Sequence, residues 1–377
     1  MKLRTLCSTI LVTTFAAAVG GGNASAATFV YVSNADDGDI SSYRMLDSGE
    51  LQPIARSKAA AMVMPMVVSP DRRFLYAAAR SKPYTVYAYA IDRNTGALTQ
   101  ASSSPLAESF PYISLDRTGR YLLAASYGGN VVSVNAVGSD GRVSTEPLQV
   151  IPVGRNAHSI RVDSANRRVY VPTLGSDAIF LFDFDPSTGK LTSATPAVFL
   201  TKAATGPRHF EMSADGKYVY VLSEFTGDVT TLAIDGKTGV LTEASVAKAL
   251  PSDTKLVTGT ARGSIPGRNL DNDIWAADVH MTPNGKFMYA SERTSSSIGA
   301  FSVDAATGKL TYLSSTPSEK QPRGFAIDPS GRFLVATGEK SENVSVYAID
   351  GATGALKPVG KAPVGKGANW VEIVRFD

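Results

Sequence analysis

The feature that most constrains the fold is an internal repeat that runs along the chain. Two sequence patterns recur together roughly every 45 to 50 residues, with one longer interval of about 70 residues. The first pattern is a run of aromatic and branched residues that, after its first copy, follows a short turn; the runs begin at Phe29, Phe74, Tyr121, Val169, Tyr218, Phe287 and Phe333. The second is a glycine followed two residues later by an apolar residue, at Gly49, Gly96, Gly141, Gly189, Gly239, Gly308 and Gly354. Because the two patterns keep step, the sequence predicts seven copies of one structural unit.

Each copy has the composition of short β-strands. Residues 179–184 and 344–349, for example, are rich in Val, Ile, Phe and Tyr and are bounded by Gly, Asp or Asn. Four short strands per repeat are typical of one propeller blade, so the sequence predicts an all-β, seven-bladed β-propeller. We label the strands of a blade A to D, with A innermost. The chain starts in a strand B and ends at 370–374 with the pattern of a strand A. The C-terminal strand A is therefore predicted to close the last blade with the N-terminal strands B–D.

The predicted organisation is a leader followed by one domain. Residues 1–26 have a basic start, an apolar stretch and an A-x-A motif ending at Ala26, which is typical of a cleaved secretory signal. Residues 27–377 are predicted to form a single propeller domain. The longer interval indicates a loop insertion at 251–273, which we expect to overhang one mouth of the central channel. The sequence thus predicts a periplasmic or secreted protein that is not attached to a membrane after signal cleavage.

The composition excludes several classes of function. The chain has 37 Lys and Arg and 34 Asp and Glu, and a net charge of +3 gives no case for nucleic-acid binding. Its one cysteine, Cys7, lies in the predicted signal, so neither a disulfide framework nor a cysteine metal site is expected. The nucleophile-elbow, zinc-protease and nucleotide-binding motifs are absent from the sequence. We expect a monomer without a cofactor or a resident metal.

Strand topology indicates where a site would lie. Strands A and B are antiparallel, so the start of A and the end of B emerge on one face of the ring. The ionisable and polar residues expected there, on one cavity, include Arg80, Tyr127, His158, Arg208, His209, Glu224, Asp278, His280, Arg293 and Arg323. This set contains all three histidines of the chain, although each of them could instead be structural. Histidine and glutamate suit acid–base catalysis, and clustered arginines suit capture of an anion. Asp278 and His280 are two residues apart, but two ligands alone are a weak indication of a metal.

Several multi-residue motifs resemble those of the seven-bladed β-propeller lactonases. They lie at 66–71, 206–209, 218–224, 275–280, 282–285 and 321–325, and the similarity extends over nearly all of residues 27–377. This family includes the bacterial propeller-type 6-phosphogluconolactonases, which the chain resembles most, and the fungal carboxymuconate cycloisomerases. The resemblance implies a catalytic set that consists of His158, Arg208, Glu224 and Arg293. The other residues expected at the mouth are predicted to bind substrate, namely Arg80, Tyr127, His209, Asp278, His280 and Arg323.

These observations predict a lactone hydrolase that acts on a sugar or sugar-phosphate lactone. His158, oriented by Glu224, would be the general base, and Arg208 and Arg293 would stabilise the oxyanion and hold an anionic substituent. The resembling 6-phosphogluconolactonases act on a cytosolic intermediate, whereas this chain has a predicted export signal. We therefore expect this chain to share the reaction type of those enzymes, whereas a phosphorylated sugar lactone is a poor expectation for a substrate outside the cytoplasm. Two alternatives stay open, a propeller that binds a ligand or partner without catalysis and a muconate-lactonising cycloisomerase.

Overall fold

The computed structural model describes residues 26–262 and 264–377. The predicted signal segment lies outside the described residues except for Ala26. Within these ranges the secondary structure is almost entirely β, with one short 3-10 turn at Leu174–Ser176. No helix in the described ranges is long and apolar enough to cross a membrane.

The strands are numbered in chain order. The first eleven are β1 (Ala27–Asn34), β2 (Asp39–Met45), β3 (Leu51–Lys58), β4 (Val63–Val68), β5 (Phe74–Ala79), β6 (Thr85–Ile91), β7 (Leu98–Pro105), β8 (Tyr112–Leu115), β9 (Tyr121–Ser126), β10 (Val131–Ala136) and β11 (Gln149–Pro152). The next eight are β12 (Arg161–Val162), β13 (Arg168–Thr173), β14 (Ala178–Asp185), β15 (Lys190–Leu200), β16 (Pro207–Met212), β17 (Tyr218–Ser223), β18 (Asp228–Ile234) and β19 (Leu241–Lys248). The last nine are β20 (Ala276–Met281), β21 (Phe287–Glu292), β22 (Ser297–Val303), β23 (Leu310–Pro317), β24 (Phe325–Ile327), β25 (Phe333–Thr337), β26 (Asn343–Ile349), β27 (Leu356–Pro363) and β28 (Ala368–Phe376).

The described strands form seven antiparallel four-stranded sheets, which are the blades of a propeller. Six blades consist of consecutive strands, from β4–β7 to β24–β27. The seventh has the order β28-β1-β2-β3, so the C-terminal strand pairs with the N-terminal one along their length. The predictions of an all-β, seven-bladed propeller and of its closure by the last strand are confirmed. Closure pairs β28 with β1 and leaves no gap in the ring that the described residues form.

The hydrophobic core is divided among the contacts between neighbouring blades. Each of the seven buried clusters combines residues of two adjacent sheets. Val30 and Val32 of β1, for example, pack with Val335 of β25, so one cluster spans the junction where the ring closes. The fold is therefore stabilised by the same kind of apolar contact at every blade junction.

These junctions explain why the two sequence patterns keep step. A residue at the start of each strand B, or the third residue in the case of Phe29, packs against the C–D turn glycine of the next blade. A Cβ atom on Gly96 would lie 2.2 Å from the Phe29 ring, and Gly96 has a φ of +73°, which an L side chain rarely adopts. The other pairs are Phe74–Gly141, Tyr121–Gly189, Arg168–Gly239, Tyr218–Gly308, Phe287–Gly354 and Phe333–Gly49. The two patterns are thus the two sides of one contact that recurs around the ring.

The residues between β19 and β20 form a long connection. Apart from an isolated bridge between Val257 and Asp273, its described residues contain no strand. The backbone N–H of Gly259 donates to the carbonyl of Phe225 at 2.8 Å, and the Thr294 hydroxyl donates to the carbonyl of Asp273 at 2.6 Å. Phe225 and Thr294 lie just after two strands B, so the connection is fastened to the face where those strands end.

Candidate active site

A cavity of about 190 Å³ opens at the face where strands A begin and strands B end. We call it the arginine chamber; its lining residues are Arg80, Pro111, Tyr127, His158, Glu224, Arg262, Trp275, Arg293 and Arg323. Arg80, Glu224 and Arg293 each follow directly on a strand B, because β5, β17 and β21 end one residue earlier. The structure therefore brings together six of the residues expected from strand topology. Their catalytic and binding roles stay predictions.

Glu224 is the centre of the charge network in this chamber. One of its carboxylate oxygens accepts from Arg208 Nε at 2.7 Å and from Arg293 Nη2 at 2.9 Å. The other accepts from Trp275 Nε1 at 3.2 Å. The relative exposures of Arg208, Glu224 and Arg293 are 0%, 5% and 3%, so these charges compensate one another away from bulk water. Such a buried pairing holds the side chains in one geometry.

Two expectations about this network are wrong. Both oxygens of Glu224 are occupied by nitrogen donors, and among the described residues no hydrogen bond joins Glu224 to His158. Glu224 therefore does not orient the imidazole. Arg208 does not line the chamber, because it lies behind Glu224 and also donates to the carbonyl of Ala277. The pairing of β16 with β17 shifts register between Pro207 and His209, and such a bulge re-aims the side chain at Arg208.

His158 contributes its imidazole to the chamber lining and is otherwise buried. Its Nδ1 is buried and has no partner among the described residues, so Nε2 is the nitrogen left to face the chamber. Burial holds the pKa of His158 well below its usual value, and the positive charge of Arg208 lowers it further. The imidazole is therefore neutral at neutral pH, which is the protonation state that a general base requires.

The remaining arginines leave the chamber with an excess of positive charge. Arg80 donates Nε to the Ser109 hydroxyl at 3.1 Å and forms no salt bridge with a carboxylate of the described residues. Burial lowers the pKa of Arg80 to about 10, so it stays protonated at neutral pH. Arg323 forms a salt bridge with Glu339, with 3.8 Å between Nη1 and Oε1. A guanidinium with unused donors suits a carboxylate or a phosphate group.

The long connection between β19 and β20 supplies part of the chamber wall. The guanidinium carbon of Arg262 lies 3.9 Å from the centroid of the Trp275 ring, and that of Arg293 lies 3.7 Å from it. Two cations therefore contact one indole. Arg262 was missed as a site residue because it lies inside an irregular insertion, where no strand pattern indicates a position. Trp275 was part of a recognised motif, and its place before a strand A was the signal that could have identified it.

Three predicted substrate-binding residues, His209, Asp278 and His280, do not line the arginine chamber. Asp278 and His280 line a second cavity of about 380 Å³, bounded by the far ends of the A strands and the A–B turns. We call it the aromatic chamber; its lining includes Tyr112, Arg161, Glu211, Asp278, His280, Phe325, Trp370 and Glu372. The expectation of one cavity is wrong, because successive positions along strand A carry their side chains progressively further down the channel.

His209 separates the two chambers. Its Nδ1 lies 2.8 Å from Asp278 Oδ1, and its ring centroid lies 5.1 Å from that of His158 and 5.0 Å from that of Tyr112. Burial lowers the pKa of His209 to about 3, with Arg208 as the next cause. His209 is therefore a neutral part of the partition and not a ligand on the surface of the arginine chamber.

The described residues contain no group of three or more His, Cys, Asp or Glu arranged to hold a metal ion. Asp278 and His280 contact each other, with 3.1 Å between Oδ2 and Nε2. Asp278 also contacts His209, and Glu211 lies 3.6 Å from His280 Nδ1. The two residues whose spacing first suggested metal ligands therefore engage protein partners.

Comparison with known proteins identifies the relatives of this chain. Residues 26–373 match the family model described as "Lactonase, 7-bladed beta-propeller". The chain is 38% identical over 345 residues to the 6-phosphogluconolactonase of Serratia proteamaculans, covering 92% of this chain and 98% of that protein. It is 35% identical over 348 residues to the 6-phosphogluconolactonase of Pectobacterium carotovorum, covering 92% of this chain and 99% of that protein.

Solved structures show the same fold at lower identity. The periplasmic gluconolactonase of Pseudomonas aeruginosa superposes with a TM-score of 0.81 at 24% identity, covering 93% of this chain and 99% of that one. A protein from Lactobacillus plantarum superposes with a TM-score of 0.79 at 21% identity, covering 93% and 99%. At this level of identity the likeness supports the fold alone.

Proposed function

The chain belongs to the seven-bladed β-propeller lactonase family and is a lactone hydrolase; we propose that it opens an anionic sugar lactone in the arginine chamber. The observation that carries the proposal is the combination of a neutral, chamber-facing His158 with arginines whose charge exceeds that of the nearby carboxylates. The neutral imidazole supplies a base, and the excess cations supply a seat for a phosphate or carboxylate group. The relatives' name supports a six-carbon sugar-phosphate lactone as the first substrate to examine.

In this mechanism His158 Nε2 accepts a proton from a water molecule while the water oxygen attacks the lactone carbonyl. The new C–O bond forms, and negative charge develops on the carbonyl oxygen. Collapse of the intermediate breaks the ring C–O bond, and the His158 imidazolium returns its proton to the leaving alkoxide. The product is the open hydroxy acid, and the imidazole is neutral again. General acid–base assistance of this kind contributes about 10²–10⁴-fold in rate.

Arg293 is the group that we propose to stabilise the developing oxyanion. Its Nε and Nη2 donate to the carbonyls of Trp275 and Ala276 and to Glu224, which fixes the guanidinium plane. Its Nη1 has no acceptor among the described residues, so one donor of a fixed cation is left for the substrate. Arg208 and Glu224 then act as positioning residues that hold Arg293 in place before substrate binds.

The test is a panel of lactones with the purified protein. The panel contains 6-phosphogluconolactone, δ-gluconolactone and a muconate diacid, with acid release or ultraviolet absorbance measured against the spontaneous rate. We expect fastest turnover of an anionic lactone and a loss of about 10²–10⁴-fold in His158→Ala. Full turnover by His158→Ala would overturn the mechanism. Muconate cyclisation without lactone opening, or no turnover of any compound, would favour one of the two alternative functions.

We also propose that the protein is exported and acts as a monomer. The support for export is the predicted signal at 1–26. The support for a monomer is that the described blades pack their buried apolar residues against neighbouring blades of the same chain. Cell fractionation with N-terminal sequencing is expected to find the protein outside the cytoplasm with Ala27 as its first residue. Recovery of the uncleaved chain in the cytoplasm would contradict export, and a dimer in size-exclusion chromatography would contradict the monomer.

A further inference from the structure

The aromatic chamber is twice the size of the arginine chamber, and the lactone mechanism does not use it. Their volumes are about 380 Å³ and about 190 Å³. His209 lies between them, with ring contacts to Tyr112 on one side and His158 on the other. A ligand in the aromatic chamber would therefore enter from the opposite face of the ring.

The charges in the aromatic chamber are balanced. Arg161 Nη2 lies 3.0 Å from Glu211 Oε1, and His280 Nε2 lies 3.1 Å from Asp278 Oδ2. The two carboxylates beside it raise the pKa of His280 to about 10, and Arg161 helps to lower that of Glu211 to about 2. Two acids and two bases thus stay ionised and paired at neutral pH. Arg117 and Asp116 also line the chamber and have opposite charges, so its cations do not outnumber its carboxylates as they do in the arginine chamber.

Hydrogen-bonding capacity remains after these pairs are made. The Tyr112 hydroxyl has no hydrogen-bond partner among the described residues. It is not fully buried, and Tyr112 lines the chamber, so the hydroxyl is available to a ligand. One oxygen of Glu372 accepts from Trp370 Nε1 at 2.9 Å, and the other has no partner in the same residues. Burial raises the pKa of Glu372 to about 7, so its carboxyl group is available both as a donor and as an acceptor near neutral pH.

The walls of the chamber are aromatic. The ring centroids of Tyr112 and Trp370 lie 5.4 Å apart in an edge-to-face arrangement, and Phe325 packs edge-on against His280 at 4.9 Å. Flat apolar surfaces beside a few polar groups are the usual makeup of a small-molecule site. A sugar ring presents C–H groups on its faces and hydroxyl groups on its edges, which matches this distribution.

From these observations we propose that the aromatic chamber is a second binding site, which takes an uncharged polyhydroxylated ring such as a monosaccharide. The ring packs against Trp370, and its hydroxyl groups bond to Tyr112 and Glu372. The paired charges around it exclude phosphorylated sugars, which the arginine chamber favours. The site binds its ligand whether or not the chain hydrolyses a lactone, so the proposal does not depend on the proposed function.

The chain provides its own reporters, because it has two tryptophans and each chamber contains one of them. Trp275→Phe leaves Trp370 as the fluorophore of the aromatic chamber, and Trp370→Phe leaves Trp275 as that of the arginine chamber. D-Glucose is the uncharged probe and inorganic phosphate the anionic one. We expect glucose to change Trp370 emission along a saturable curve, and phosphate to change only Trp275 emission.

Matched tyrosine variants locate the effect. In the Trp275→Phe background, Tyr112→Phe and Glu372→Leu each remove a hydrogen-bonding group from the chamber, and each is expected to weaken glucose binding about tenfold, the equivalent of one lost hydrogen bond. Tyr127→Phe, in the arginine chamber, is expected to leave the dissociation constant for glucose unchanged. Calorimetric titration of the unsubstituted protein gives the same dissociation constant without any change to the fold. A glucose response that does not saturate in either measurement, or a dissociation constant that neither Tyr112→Phe nor Glu372→Leu changes, would overturn the proposal. Lactone turnover is measured separately, so failure of one proposal does not imply failure of the other.

Discussion

The two chambers of the central channel contain similar residue types and differ in how their charges are paired. In the arginine chamber one buried carboxylate, Glu224, contacts Arg208 and Arg293, while Arg80 and Arg323 keep unused donors. In the aromatic chamber Arg161 and His280 are matched by Glu211 and Asp278. Two adjacent residues of β16 contact one chamber each, since Arg208 contacts Glu224 of the arginine chamber and His209 contacts Asp278 of the aromatic chamber. The surplus or balance of charge, more than the presence of ionisable groups, indicates which chamber takes an anion.

The largest effect is expected from Glu224→Gln. This change leaves Arg208 and Arg293 buried without their carboxylate, and loss of one partner of a buried pair costs about 3–5 kcal/mol in the free energy of unfolding. Urea denaturation measures the loss. The control is Glu339→Gln at the edge of the same network, where one longer contact of 3.8 Å joins the carboxylate to Arg323; it should lower the free energy of unfolding clearly less than Glu224→Gln does. Equal losses of unfolding free energy in the two variants would mean that Glu224 is not the centre of the charge network.

The next effect concerns substrate charge. Arg80→Ala and Arg323→Ala are each expected to raise KM for 6-phosphogluconolactone about 10- to 100-fold relative to KM for δ-gluconolactone, because a charged hydrogen bond is lost only with the anion. Steady-state kinetics on both lactones measures the ratio. Arg117→Ala, at the rim of the aromatic chamber, is the matched loss of a guanidinium and should change this ratio by less than about threefold. A similar change in all three variants would remove the distinction between the chambers.

The pH dependence of turnover tests the state of His158. The protonated imidazole cannot act as a base, and burial with the charges of Arg208 and Arg323 lowers its pKa below 6.5. The neutral, active form therefore persists to lower pH than for an exposed histidine. The acidic limb of kcat/KM for uncharged δ-gluconolactone should lie below pH 6.5, measured after subtraction of spontaneous opening. A midpoint at or above that value would mean that His158 is not the base or is not desolvated.

The smallest effect is expected from the two glutamates of the aromatic chamber, with opposite signs. Burial raises the folded-state pKa of Glu372 from 4.5 to about 7, so wild-type stability falls as pH rises through this range. Glu372→Gln imitates the protonated form and should raise Tm by about 1–3 °C at pH 8, with little change at pH 5. The folded-state pKa of Glu211 is lowered to about 2, so its ionised form stabilises the fold at pH 8 and Glu211→Gln should lower Tm there. Differential scanning calorimetry measures both, and shifts of the same sign at pH 8 would contradict the assigned environments.

The fold could be predicted from the sequence because each blade junction requires a particular residue type in both of the blades that form it. The aromatic residue at Phe29 and the turn glycine at Gly96 are far apart in the chain, yet they form one contact, and the contact recurs in step seven times. The closing strand, β28, was recognisable because residues 370–374 have the pattern of a strand A. These signals are local in sequence and repeat, so they do not depend on the exact direction of any side chain.

The site was predictable only as far as strand ends determine it. The position of Arg80, Glu224 and Arg293 after a strand B was sufficient to bring them to one mouth. Asp278 and His280 were assigned to the wrong cavity, because depth along the channel depends on bulges such as the one between Ala276 and Val279. The partners of Glu224 depend on side-chain packing across blades, which no pattern in the chain records.

The most direct test of the central claim is a crystal structure of the protein with 6-phosphogluconate, the acid that the proposed reaction would release. We expect the product in the arginine chamber, with its phosphate on Arg80 or Arg323, its new carboxylate within hydrogen-bond distance of Arg293 Nη1 and its new hydroxyl within hydrogen-bond distance of His158 Nε2. Binding of 6-phosphogluconate in the aromatic chamber would contradict the account. Its absence from the arginine chamber at saturating concentration would contradict it as well.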